Sequence, residues 1–190
     1  MARRVYDFED PDRFVAGTVG EPGNRAFFLQ VRDDKRIVSV LIEKVQVELL
    51  ADRLHQLLVE VRARGASVPE EPAATDIDTA ALDEPLNDVF RVGTMAIIWD
   101  GDDESVVIEA RAMTEDDETA SPGDEVDIDD APEDSDASDA VRIHLRPSKA
   151  LAFAKQALEV VSAGRPPCPF CGQPLNPEGH ICARRNGFMH

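Results

Sequence analysis

Aromatic residues, cysteines and basic residues are all scarce in this chain. Aromatics make up 5% of its 190 residues, there are three cysteines, and 20 lysines and arginines face 38 aspartates and glutamates. The resulting net charge of −18 argues against nonspecific nucleic-acid binding, because an acidic surface repels a polyanion. No apolar run approaches the ~20 residues of a membrane-spanning helix, and the N-terminal residues lack the apolar segment of a signal peptide. We therefore expect a cytoplasmic protein.

The three cysteines lie together near the C-terminus, and their spacing carries the clearest chemistry in the sequence. A disulfide framework would distribute an even number of cysteines along the chain. Here Cys168-Pro-Phe-Cys171 is followed, after eight residues, by His180-Ile-Cys182. Three thiolates and one imidazole form a complete ligand set for a tetrahedral Zn²⁺ ion. Because the protein fills all four positions, we predict a structural zinc site with no place for a catalytic water.

Neighbouring residues support a metal-binding turn. Pro169 stiffens the first pair of cysteines, and Gly172 follows it where a tight turn favours positive φ. The gap between His180 and Cys182 is one residue shorter than usual, and His190 is an alternative ligand that we disfavour because chain ends fray. A redox Cys-x-x-Cys pair is the other alternative, but such a pair normally opens a helix, and the flanking prolines argue against one.

The remainder of the chain divides into two similar halves. Each half has three strand-like runs followed by an amphipathic helix, and Phe14-Val-Ala-Gly17-Thr18 matches Phe90-Arg-Val-Gly93-Thr94. We predict an α+β fold in which duplicated βββα units form an antiparallel sheet covered by two helices. The expected strands are 13–19, 25–32 and 36–42, then 90–100, 105–113 and 140–146, and the expected helices are 44–64 and 147–163.

These elements define the predicted organisation of the chain. Residues 1–65 form the first unit, 66–88 are a linker or a loosely packed excursion, 89–164 form the second unit, and 165–190 form a zinc-knuckle-like tail. Within the second unit, residues 115–139 include 13 acidic residues and no lysine or arginine. Like charges at this density favour a disordered insertion. Without it the net charge would be about −5, so the acidity is mostly a property of this segment.

No catalytic motif is evident in the sequence. His55 and His144 have no nucleophile or carboxylate at a diagnostic spacing, and there is no nucleophile elbow or phosphate-binding loop. We therefore predict no catalytic residues and favour a non-enzymatic interaction or adaptor protein with a protein partner and no membrane contact. An enzyme would need a deep pocket with convergent polar groups between the two units.

Three segments together resemble a known bacterial family. They are Tyr6-Asp-Phe8-Glu-Asp-Pro11-Asp-Arg-Phe14, Arg25-Ala-Phe-Phe-Leu-Gln-Val31, and Pro167-Cys-Pro-Phe-Cys171-Gly with Pro177-Glu-Gly-His180-Ile-Cys182. The chain resembles the family catalogued as domain of unknown function 3090, from high-GC Gram-positive bacteria. That family's genes often lie beside genes for lipid-kinase-like and histidine-phosphatase-like proteins, so the resemblance also implies, as an alternative, an enzyme in a phosphate-linked pathway. It carries over no catalytic residues.

A second resemblance is architectural and suggests another alternative. Two meanders that each end in a helix are similar to the single-stranded nucleic-acid-binding repeats of the Pur-alpha and Whirly type. In those proteins the sheet face opposite the helices binds the strand through basic and aromatic residues. Here that face would use Phe28 with Arg25, Arg32, Lys35 and Arg36. The acidic segment would then modulate binding, and deleting it should strengthen the interaction.

Overall fold

The predicted α+β fold is confirmed. A computed structural model describes residues 3–114, 138–164, 167–172 and 182. It contains a seven-stranded sheet and two α-helices, with a short 3-10 helix at Ala74–Asp76. The strands are β1 (Val5–Glu9), β2 (Arg13–Val19), β3 (Ala26–Asp33), β4 (Arg36–Ile42), β5 (Asp88–Asp100), β6 (Ser105–Ala112) and β7 (Ala140–Leu145), and the helices are α1 (Lys44–Ala63) and α2 (Pro147–Ser162).

The sheet is mixed and not purely antiparallel. Its strand order is β1-β7-β6-β5-β4-β3-β2, and two neighbouring pairs, β4 with β5 and β1 with β7, run parallel. The β4–β5 pair is parallel because α1 carries the chain back along the sheet before β5 begins, which is the crossover that parallel neighbours require. The β1–β7 pair joins the N-terminal strand to one more than 130 residues later. Our prediction of an antiparallel sheet is wrong for these two pairs.

One face of the sheet packs against both helices. Strands β3 and β4 alternate, so that Phe27, Leu29 and Val31 point to this face together with Val38, Val40 and Ile42 from β4. Helix α1 contributes a stripe at helical spacing, namely Val47, Leu50, Leu54, Leu58 and Val61. Helix α2 begins with Pro147 in its first turn, which suits a residue without an N–H group. The ring of Phe153 in α2 stacks on Phe14 of β2 at 4.2 Å.

The side-chain amide of one glutamine in each helix contacts the backbone of a strand from the other predicted unit. Gln46 of α1 donates its side-chain amide to the carbonyl of Gly93 in β5 at 3.0 Å. Gln156 of α2 accepts from the amide of Ala16 in β2 at 3.1 Å and donates to its carbonyl at 2.7 Å. The two helices contact each other as well. The element order βββα therefore occurs twice with reciprocal contacts, and duplication of an ancestral unit stays a prediction.

The sheet must be strongly curved. Strands β1 and β2 are its two edges, yet only residues 10–12 connect them. Four residue steps span at most about 14 Å, whereas seven flat strands at ~4.8 Å spacing would separate the edges by roughly 29 Å. The edges therefore approach each other. Arg36, which opens β4, bridges the gap by donating to the carbonyl of Asp7 in β1 at 3.1 Å.

The segment between the units packs on the opposite sheet face more closely than we predicted. Cross-strand partners Val15 and Gln30 share this face with Arg13 and Gly17. Residues 78–83, here called the strap, cross it. Arg13, whose side chain is 4% exposed, donates to Asp78 and Asp83 and to the carbonyls of Ala80 and Ala81. The buried guanidinium of Arg13 thus anchors the strap, and Gln30 and Arg32 of β3 add hydrogen bonds to Asp83.

Candidate metal centre

Three thiols converge near the C-terminus. The Sγ atoms of Cys168, Cys171 and Cys182 all lie within 4.8 Å of one another, and those of Cys168 and Cys182 are 3.9 Å apart. Cys168 and Cys182 are buried, and none of the three forms a disulfide. The structure therefore brings together residues that are up to 14 positions apart in the sequence. These three cysteines could bind a metal ion.

A tight turn places the first two sulfurs. The amide of Gly172 donates to the carbonyl of Cys168 at 2.8 Å and closes the turn. Gly172 has φ +75°, a left-handed conformation in which a side chain would be strained, so the sequence requires glycine here. The amide of Phe170 points back at Cys168 Sγ at 3.5 Å. The backbone thus curls around the first sulfur, as expected for a metal-binding Cys-x-x-Cys turn.

The surroundings of Cys168 favour its thiolate. Burial raises the pKa of this thiol, but hydrogen bonds from the backbone of Cys171 and Phe170 and from the neighbouring thiols outweigh it, so the pKa lies below its usual value. The thiolate is the form that coordinates metal ions. Cys168 follows an isolated bridge at Pro167 and precedes a turn, so it does not open a helix as the nucleophile of a redox Cys-x-x-Cys pair does.

The predicted fourth ligand is not placed. His180 and the disfavoured alternative, His190, lie outside the described residues, as do residues 115–137 of the predicted acidic insertion. Three soft thiolates suit Zn²⁺ and other thiophilic ions, whereas Mg²⁺ and Ca²⁺ prefer oxygen. The arrangement can hold a metal ion and thereby join the Cys168–Gly172 turn to Cys182.

A second group of possible ligands was not predicted from the sequence. His144 on β7 lies 3.7 Å from Asp7 and 3.6 Å from Glu9, both on β1, measured from Nε2 to the carboxylate oxygens. We did not find it because β1 was not predicted as a strand. Its pairing with β7 places Glu9 opposite His144. Arg142 also lies 3.7 Å from Asp7, so a protein cation already balances part of this negative charge.

Four of the five residues that the nucleic-acid hypothesis assigned to the binding face are buried or make contacts within the fold. Phe28 is only 8% exposed, on the face that the strap crosses. Arg32 pairs with Asp83 of the strap at 3.0 Å, and Arg36 lies over the ring of Phe8 at 4.4 Å. Arg25 donates to the carbonyl of Ala163 at 2.7 Å, while Lys35 is exposed. Phe28 therefore has little exposed ring surface on which a base could stack.

The described helices include none that is long and apolar enough to cross a lipid bilayer.

Comparison with known proteins gives a match to a family model. No curated protein and no solved structure matches the chain. The model of the family described as "Protein of unknown function (DUF3090)" matches residues 6–182, which include every strand except the first residue of β1, both helices and all three cysteines. The chain therefore belongs to the DUF3090 family.

Proposed function

We propose that this is a cytoplasmic, non-enzymatic interaction protein whose C-terminal segment folds around a structural zinc ion and contacts a protein partner. Cys168, Cys171, His180 and Cys182 are the proposed ligands. The observation that carries the proposal is the convergence of the three thiols, two of them buried. Buried thiols of this kind gain most from a shared cation, because the metal balances the charge of their thiolates.

Phe170 gives the metal-binding turn an apolar tip. It stands between the first two cysteines and is 46% exposed, although large aromatic side chains usually contribute to cores. Aromatic anchors are enriched in the energetically dominant parts of protein interfaces. Zinc bound to Cys168 and Cys171 would fix the backbone that carries this ring and so reduce the conformational entropy that is lost when a partner binds. This is the physical reason to associate the metal site with protein binding.

Metal content tests the zinc proposal. Purified full-length protein should carry one zinc ion per chain by elemental analysis. Cys168→Ser and Cys182→Ser should each lose it, because a structural site needs its full ligand set. His180→Ala should weaken zinc binding. His55→Ala is the matched histidine control, because His55 is exposed on α1 and is not a proposed ligand, and it should leave zinc binding unchanged. Unchanged zinc in the two serine variants would refute the ligand assignment.

Recovery of bound partners tests the interaction proposal. Tagged wild-type protein and Cys168→Ser/Cys182→Ser are recovered from their native cytoplasm, with and without nuclease. A protein that stays bound after nuclease treatment to the wild type, but not to the variant, supports a zinc-dependent interaction. Nucleic acid that nuclease removes would instead support the nucleic-acid hypothesis. Equal recovery of the partner with both proteins would show that partner binding does not depend on the metal site.

A further inference from the structure

A cavity of about 360 Å³ lies where the two units meet. The turn between β2 and β3, the start of β3, the start of α1 and the end of α2 form its walls. Its lining is Pro22, Gly23, Arg25, Phe27, Lys44, Val161, Ser162 and Gly164. The volume is in the range of small-molecule sites. It is separate from the three cysteines and from the group around His144, and neither the zinc proposal nor the family assignment explains it.

The cavity is positively charged in an otherwise acidic protein. Two lining residues, Arg25 and Lys44, are cations, and none is an aspartate or glutamate. Lys44 is the first residue of α1, and because the side chain of the N-cap residue Glu43 already accepts from the backbone of the first turn, Lys44 contributes the charge of its own ammonium group. Outside residues 115–139 the net charge of the chain is about −5, so a cavity with two cations and no lining carboxylate still differs in sign from the rest of the protein. Such a lining favours an anionic ligand.

The Arg25 guanidinium is held by one hydrogen bond, and one of its buried donors has no partner among the described residues. Its Nη1 donates to the carbonyl of Ala163 at the end of α2, which fixes the guanidinium at the cavity wall. Its Nε is buried and has no hydrogen-bond partner among the described residues. A buried charged donor without a partner is unfavourable, and native proteins rarely retain one. A ligand oxyanion in the cavity would gain a charge-assisted contact with the guanidinium of Arg25, which lines the wall.

The remaining walls indicate the rest of the ligand. Phe27 and Val161 are buried apolar side chains in the lining, and Pro22 adds apolar surface. Gly23 and Gly164 leave room for close approach to the backbone. We propose that this cavity binds a small organic anion, whose carboxylate or phosphate group contacts Arg25 and Lys44 and whose apolar part contacts Phe27 and Val161.

Anion titration of the full-length protein tests this inference. Inorganic phosphate and acetate are added in separate experiments at constant ionic strength, and the amide resonances of Gly23 and Gly164 are followed by NMR. We expect saturable shifts for at least one anion, and the identity of that anion shows which oxyanion the site prefers. Lys44→Gln should raise the Kd about fivefold or more, since it removes a charge-assisted contact, and Lys44→Arg should largely restore binding.

Lys155→Gln is the matched control, because it removes one charge from an exposed position on α2 that does not line the cavity. It should leave the Kd unchanged. Arg25→Lys keeps the charge but alters the geometry, so it should weaken binding without unfolding the protein. The inference is overturned if neither anion gives saturable shifts, or if Lys44→Gln and Lys155→Gln bind equally well.

Discussion

Gln156 satisfies both backbone polar groups of Ala16 with its single side-chain amide. Its Oε1 accepts from the Ala16 amide at 3.1 Å, and its Nε2 donates to the Ala16 carbonyl at 2.7 Å. Ala16 lies on edge strand β2, which has β3 as its only strand neighbour in the described sheet. The amide therefore imitates the next strand and blocks the edge, where unpaired groups would invite pairing with another chain.

Replacing Gln156 with leucine should destabilise the protein. The substitution leaves two buried backbone groups of Ala16 without partners, which costs about 3 kcal/mol in the free energy of unfolding. Urea denaturation should show a lower midpoint with an unchanged slope. Lys155→Ala, one residue earlier and exposed, is the control and should stay within about 0.5 kcal/mol of the wild type. An equally small effect of Gln156→Leu would contradict the role assigned to the amide.

Gly17 and Leu82 should be energetically coupled. A Cβ added to Gly17 would lie 2.5 Å from both Cγ and Cδ2 of Leu82, so Gly17→Ala must displace the strap. We expect a loss of about 1 to 3 kcal/mol. The same substitution in a Leu82→Ala background should cost less, because the clash is gone. A double-mutant cycle measures this difference, and additive effects would show that the strap does not rest on Gly17.

The ion pair between Arg13 and Asp78 should make stability depend on pH. Hydrogen bonding from Arg13 holds the pKa of Asp78 below its usual value, although burial acts in the opposite direction. The stabilisation is therefore present above the unfolded-state pKa of ~3.9 and lost as the pH falls through the lower folded-state pKa. Asp78→Asn should be less stable than the wild type at pH 7, and the difference should narrow below about pH 4.

Denaturant unfolding from pH 3 to 7 measures this difference. Asp88→Asn removes one negative charge from an exposed residue at the start of β5 and corrects for the change in net charge. After that correction, the difference in the free energy of unfolding between wild type and Asp78→Asn should become smaller as the pH falls from 4 to 3. A gap of constant size across the range would mean that the carboxylate of Asp78 does not contribute through its charge.

Metal removal should act locally. If zinc holds the cysteines together, a chelator will free the turn that the hydrogen bond from Gly172 to Cys168 closes. Hydrogen exchange followed by mass spectrometry should show lost protection at residues 168–172, while α1 and the central strands retain theirs. Protection that is the same with and without chelator would indicate a turn stabilised by packing alone.

Local patterns were sufficient to predict most of the elements. Strands β2 and β4 have the predicted bounds, and both helices begin where predicted, because alternation, turn residues and Pro147 are signals within a few residues of each element. The convergence of three cysteines was also predictable, since thiol spacing reflects ligand geometry. The fourth predicted ligand, His180, stays a prediction.

Long-range pairing was not predictable in the same way. Strand β1 is short, and only its contact with β7 explains why Phe8 is buried while Asp7 and Glu9 are exposed. The strap was predicted as part of a linker or a loosely packed excursion because its sequence has little apolar periodicity. Its position depends on hydrogen bonds from β2 and β3, above all from Arg13, a residue more than 60 positions earlier whose burial has no local signal.

The position of β1 also sets a sequence of events during synthesis. A ribosome produces β1 first, but its hydrogen-bonding partner β7 emerges only after residue 140 has been made. Helix α2, whose Gln156 closes the other sheet edge, follows later still. The nascent chain can therefore assemble the β2–β4 meander early, yet both edges of the sheet stay incomplete until the residues from Ala140 to Gln156 have been made. A ribosome stalled before residue 140 would hold a chain with both edges open to its neighbours.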